Sequence, residues 1–324
     1  MASSYSETDD GWHKPTSDDP YWTETSYWGF YNPQRRLSGT VYNLWRRNLG
    51  LVASNVWVWD DEADLPYEAA YTRSMWHLQI PTDADPTNFT LPTGLRCERI
   101  AGLRSHRLRY DDPGELSFDL LTEAVQPANA SFSSTGPGTG HFDQHIRVVG
   151  SLRLGEEDVA IDCISMRDRT WSPRPDLGLP TVLGSYLHGA ASPDECFLAM
   201  ARGGEEHMRT GGPLSIAEGA GYVVREGKSA RVVSGRVTVV ERDRGRPQRL
   251  AVEVEDALRR TLEVEGTCLN RIGTSLSPGI FNWFSLFRWE YADGMVAHGE
   301  DQETWIPPTA FRRYAGLGLG RGKG

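Results

Sequence analysis

The chain has 324 residues, a net charge of -10 and an isoelectric point near 5.3, with Lys and Arg scattered among Asp and Glu. That balance leaves no basic stripe for nucleic acid or an anionic lipid surface, and no run approaches the roughly 18 apolar residues of a spanning helix. A cytoplasmic protein without nucleic-acid binding or stable membrane insertion is the expectation, and a homodimer is left open.

Residues 1–19 are polar and acidic, lack the apolar core of a leader, and read as a mobile N-terminal arm. Beyond them, short alternating runs broken by Gly, Pro, Asn and Asp dominate, and no long stretch keeps a helical period, so the pattern is all-β. The length exceeds what one small core organises. Two β domains are therefore expected, at residues 20–180 and 181–315, with a flexible Gly-rich tail at 316–324. The 11 Trp, 12 Tyr and 10 Phe cluster in strand-like runs, at residues 21–31, 56–60 and 281–291. In a β-rich chain such aromatic weight means either a thick core or walls for a large hydrophobic small molecule.

Gly136 to Gly140 read GPGTG, but an alternating strand follows rather than a helix, which excludes a dinucleotide cradle. The next run, Gly140–Leu154, puts His141, Asp143, His145 and Arg147 on one side and Phe142, Gln144, Ile146 and Val148 on the other. At about 3.3 Å per residue, His141 and His145 stand roughly 13 Å apart and do not share a metal ion. A second strand over residues 159–168 aligns Ala160, Asp162, Ile164, Met166 and Asp168. Asp168 would then end a largely apolar row, where a carboxyl pKa rises. Residues 167–174, RDRTWSPR, crowd three arginines, a carboxylate and a tryptophan at the strand end. This is either a structural ion-pair corner or a functional site.

Residues 178–220 are less regular, with short elements at 193–202 and 214–218. A meander of hairpins fills 221–269. Asp293-Gly294 is the strongest hairpin signal. As a two-residue loop it sets Tyr291 against Val296, Trp289 against His298, Phe287 against Glu300 and Ser285 against Gln302. Phe284, Leu286 and Arg288 then oppose Glu303, Asp301 and Gly299, which invites an Arg288–carboxylate pair. Cys97, Cys163, Cys196 and Cys268 are far apart and read as buried reduced thiols. No GxSxG, HExxH or Walker pattern occurs.

Four stretches together, Trp22 to Trp28 (WTETSYW), Gly140 to Gln144 (GHFDQ), the RDRTWSPR run and Gly299 to Glu303 (GEDQE), resemble the carotenoid 1,2-hydratase (hydroxyneurosporene synthase) and AttH-like superfamily, over residues 22–305. The resemblance implies two lipocalin-like β domains packed side by side and a hydrophobic ligand. It also implies hydration of an isoprenoid-like double bond, with cofactor-free cyclisation of a polyene, Diels–Alder fashion, or a non-catalytic carrier as alternatives; chemistry without cofactor or metal is the expectation by elimination, since no motif for either stands in the chain. Hydration needs an acid, a wall that tolerates a carbocation and a positioned water. On the motif match Asp168 is the expected acid and His141 its partner. Trp171, Trp22, Trp28, Trp283 and Trp289 are the expected aromatic wall, and Gln144, Arg174, Tyr186 and His298 the expected polar contacts.

Overall fold

The computed structural model describes residues 5–130, 136–174, 182–204, 207, 210–243, 245–277 and 279–306. The Gly-rich tail expected at 316–324 lies outside them. The chain divides into two units, one of residues 1–62 and 67–174, the other of residues 63–66 and 175–324. Both are antiparallel β, as the alternation predicts. Among the described residues no helix is long and apolar enough to cross a membrane.

The first unit contains β1 (Trp22–Asn32), β2 (Leu37–Arg46), β3 (Leu51–Trp59), β4 (Tyr71–Gln79), β5 (Phe89–Thr90), β6 (Arg96–Ala101), β7 (Ser105–Asp112), β8 (Leu116–Ala124), β9 (Gly140–Leu154) and β10 (Glu157–Pro173). They form one sheet in the order β4-β3-β2-β1-β10-β9-β8-β7-β6-β5. The returning β10 thus lies beside β1, a pairing no local signal encodes. Along β1 the residues are buried without a break from Trp22 to Tyr31, on both faces of the sheet, which is why that stretch lacks the apolar–polar alternation of a half-solvated strand. Side chains curl the open sheet. The Tyr71 hydroxyl on edge strand β4 bonds to the Tyr110 hydroxyl on β7 and reaches Asp112 Oδ2 at 2.7 Å, while Arg73 contacts the same carboxylate.

The expected mobile arm is instead anchored over residues 5–13. Asp10 is fully buried, Trp12 packs edge-on against Trp45 and donates to the Ala84 carbonyl at 2.8 Å, and His13 stacks on Trp171 with ring centroids 3.7 Å apart. Acidic composition suggested solvation, but Asp10 meets the buried Arg167 guanidinium, and pairing offsets the cost of burying a charge.

In the second unit β11 (Val182–Ser192), β12 (Glu195–Gly203), β13 (Leu214–Arg225), β14 (Lys228–Asp243), β15 (Arg246–Asp256), β16 (Thr261–Ser277), β17 (Ile280–Tyr291) and β18 (Val296–Ile306) close into a barrel. The predicted meander is β13 to β16. Its first turn, Glu226-Gly227, has φ of 50° and 70°, the doubly left-handed loop that a two-residue hairpin requires. The interior holds Leu187, Phe197, Val252, Trp283, Phe287, Trp289 and Trp305.

The β17–β18 register differs from the expected one by a residue. Tyr291 N donates to Met295 O, so the loop is Ala292-Asp293-Gly294, with Gly294 at φ 86° and Asp293 Oδ1 accepting from Met295 N at 3.0 Å. This three-residue turn with a left-handed glycine uses the same Asp-Gly signal. As a result Trp289 faces Ala297, Phe287 faces Gly299 and Ser285 faces Asp301. Arg288 meets a carboxylate on its own strand, Glu290, rather than across the hairpin. Cys97, Cys163 and Cys196 are buried free thiols and Cys268 a partly buried one.

Candidate active site

Directly opposed residues of an antiparallel pair share a face. On β10, Asp168 is opposed by Tyr27 of β1 and Asp143 of β9, and Tyr27 in turn by Tyr42 of β2. One step along, Thr170 is opposed by Thr25 and His141. Two adjacent rows therefore put Tyr42, Tyr27, Asp168 and Asp143 beside Thr170 and His141 on one face of four neighbouring strands. Tyr27, Tyr42, Asp143, His141 and Thr170 are all buried, and Asp168 is mostly so.

The polar bonds within this face tie it together. His141 Nε2 lies 2.9 Å from Asp143 Oδ1 and Nδ1 lies 2.7 Å from Thr170 Oγ1. With Nε2 protonated, the ring donates to Asp143 and accepts the Thr170 hydroxyl, which fixes both its tautomer and its plane. Arg174, just past β10, donates to Thr170 Oγ1 at 3.3 Å and to the Tyr42 hydroxyl at 3.4 Å. The Tyr27 and Tyr42 rings are 6.4 Å apart at 60°.

Burial pushes the Asp168 carboxyl up to about 6. His141 and the charges of Arg174 and Arg169 pull it down, and its opposed neighbour Asp143 adds to the rise. Burial likewise raises the Tyr42 phenol and pushes His145, farther along the same face, down to about 3. A carboxyl at about 6 is about one-tenth protonated at neutral pH and can be regenerated quickly, the compromise a general acid needs.

The row leading to Asp168 is less apolar than expected. Ala160 and Asp162 are exposed, and Asp162 pairs with Arg147 at 2.8 Å. The strand passes from solvent to a buried face partway along its length. Arg167 and Arg169 point to the face opposite Asp168, as alternation predicts. Arg169 Nη2 bonds to Glu24 Oε2 at 2.9 Å and Arg167 Nη1 to Asp10 Oδ1 at 2.7 Å.

Four expected substrate contacts also lie on that opposite face. Trp22 and Trp171 pack with Phe142 and Ala128, Trp28 packs against His106 with centroids 6.0 Å apart, and Gln144 bonds to the Leu103 and Gln126 carbonyls and accepts from Arg167 Nε at 2.8 Å. Trp171 is three residues from Asp168 on a strand, and an odd spacing reverses the face. In the second unit, Trp283 and Trp289 belong to the barrel core, and Trp289 Nε1 donates to the His188 carbonyl at 3.0 Å. Tyr186, opposed by Gln302 and Met200, and His298, opposed by Ala190 and Arg288, sit on the other face of the barrel wall. Burial lowers the His298 pKa.

Sequence reasoning missed Asp143, Thr170, Tyr27 and Tyr42 as members of the site. The first two were within reach: a hairpin turning at residues 155–156 opposes Asp143 to Asp168 and His141 to Thr170. The tyrosines arrive through the β1–β10 pairing. Among the described residues no group of three His, Cys, Asp and Glu side chains is arranged to hold a metal ion. An open cleft of about 560 Å³ on the barrel, bordered by Arg236, Glu253, Glu263, Glu265 and Tyr291, contains none of the groups just described.

Solved structures with this fold include three informative ones. An AttH candidate from Nitrosomonas europaea shares 15% identity at a TM-score of 0.62, covering 94% of this chain and 98% of that one. Kievitone hydratase from Nectria haematococca shares 11% identity at a TM-score of 0.56, covering 96% of each chain. CghA, also solved with Sch210972, shares 12% identity at a TM-score of 0.54, covering 89% of this chain and 88% of that one. At these identities the likeness establishes the fold alone, an open antiparallel sheet and a closed antiparallel barrel in one chain. No curated protein matches the chain significantly in sequence. The match of residues 6–302 to a family model described as a domain of unknown function, DUF7064, places the chain in that family.

Proposed function

We propose that the protein is a cofactor-free hydratase or hydro-lyase that adds water to, or removes it from, a double bond of a hydrophobic isoprenoid-like or polycyclic molecule. The observation that supports this most is the largely buried Asp168 carboxyl, raised to about 6 and opposed across the strands by Asp143 and Tyr27. The kievitone hydratase likeness is consistent with it. In the forward direction the Asp168 O–H bond breaks and its proton forms a new C–H bond on the alkene. Water then closes on the cationic carbon and gives up a proton to the His141–Asp143 pair. That proton returns to Asp168 through its neighbour Asp143, so the net change is the addition of one water. The faces of Tyr27 and Tyr42 flank the cation, each contributing up to about 2 kcal/mol when desolvated. In this reading the tryptophans farther from Asp168 hold the fold.

A cyclase reading draws on Arg174 and Tyr42, whose donors could polarise a carbonyl of a folded polyene. Incubation with a panel of prenylated and terpenoid alkenes over a range of pH, followed by mass spectrometry, separates the readings. Hydration gives a gain of one water, with a rate that falls as pH rises through about 6, the range in which Asp168 loses its proton. An isomer of unchanged mass establishes cyclisation instead. Ligand returned unchanged across the panel contradicts both and leaves a carrier.

A further inference from the structure

The face of β10 behind Asp168 carries a buried charge network whose anions come from elsewhere in the chain. Asp10, fully buried in the N-terminal segment, accepts from Arg167 Nη1 at 2.7 Å and Leu103 N at 2.6 Å and lies 3.1 Å from His106 Nε2. Burial alone would raise this carboxyl, but the Arg167 charge and the His106 bond hold it far below the usual carboxylate range. Arg169 is also fully buried. It donates to Glu24 Oε2 at 2.9 Å, the Gly11 carbonyl at 2.8 Å and the Thr25 carbonyl at 2.7 Å. Glu24 Oε1 in turn accepts from His13 N at 2.9 Å. The segment from Asp10 to His13 therefore straps the two arginines that bracket Asp168 in sequence.

The strap has an electrostatic consequence for the other face. A buried guanidinium without its anion is a net positive charge one strand thickness from the Asp168 carboxyl, and positive charge favours the ionised form. Asp168 is faced by Asp143 and His141 from β9, Tyr27 from β1, Tyr42 from β2 and Arg174 beyond its own strand, with Arg167 and Arg169 behind it. Asp10 and Glu24 pair with the two arginines behind and offset part of their charge. We infer that Asp10 and Glu24 are positioning residues that neutralise Arg167 and Arg169 and fix β10, keeping Asp168 available as a proton donor. This inference rests on the acid role proposed for Asp168.

The test needs no substrate. With aspartate carboxyls labelled with ¹³C, the Asp168 resonance is identified by its loss in Asp168→Asn, and its titration is followed in the full chain. One unit charge uncovered at roughly 10 Å in an effective dielectric of about 20 moves the midpoint by about one pH unit. Asp10→Asn and Glu24→Gln should each lower the midpoint by that amount, and Asp10→Asn with Arg167→Gln should restore it. If the single variants fail to fold, Arg167→Gln, which leaves the Asp10 carboxylate uncovered, should raise it. A midpoint unchanged in every folded variant overturns the inference, since a strap of purely structural value would not move it. A wild-type midpoint near the ordinary carboxylate value of about 4 instead overturns the acid role itself, whatever the variants do.

Discussion

Asp301 offers a quantitative test of the barrel. It lies on β18 one alternation from Glu303 and two from Trp305, a core residue, is 1% exposed, and accepts a hydrogen bond from the Ser185 hydroxyl. Burial pushes its carboxyl up to about 8. The Ser185 bond opposes this, Glu303 adds to it and Arg242 opposes it. In the unfolded chain the same group titrates near about 3.9. The folded state thus binds the proton more tightly, and stability is lost as pH rises between the two values. Over about pH 6 to 9 that loss is about 3 kcal/mol. In Asp301→Asn a carboxamide presents N–H where the protonated carboxyl presents O–H, so this loss should disappear while the Ser185 bond remains. Urea unfolding across this range, followed by tryptophan fluorescence, provides the assay. An equal fall in stability with pH in Asp301→Asn would show that Asp301 does not carry the proton and would refute the reasoning.

Tyr71→Phe removes the hydroxyl that bridges Tyr110 and Asp112 and should destabilise the first unit by about 1–2 kcal/mol, read as a lower urea midpoint. Trp171→Ala removes a ring stacked on His13 and packed with Trp22 and Phe142. It should cost about 3–5 kcal/mol of stability with product identity unchanged, as product analysis and thermal unfolding together would establish.

The all-β class and most strand positions were legible because period-two alternation and Gly-rich turns are local signals. Gly140–Leu154 matches its expected bounds, and the 226–227 turn matches its Gly. The one-residue slip at 293–294 shows where that legibility ends. The Asp-Gly signal fits both a two-residue and a three-residue loop, and only cross-strand packing chooses between them. The site was half legible. Asp168 and His141 do share a face, and strand alternation places Arg167 and Arg169 on the other. The same alternation, carried three residues further, would have turned Trp171 away too. Tyr27 and Tyr42 could not be foreseen, because β1 meets β10 across more than a hundred residues and long-range pairing leaves no periodic trace. Nor could the anchored N-terminal segment, whose Asp10 looks solvated until its buried partner Arg167 is known.

The most direct test of the central claim is incorporation of ¹⁸O from labelled water, compared between wild-type protein and Asp168→Asn on an alkene that the protein binds. Labelled, hydrated product from the wild type and none from Asp168→Asn, with binding and fold preserved, is the result expected of an enzyme whose acid is Asp168. Near-normal labelling by Asp168→Asn would contradict that assignment.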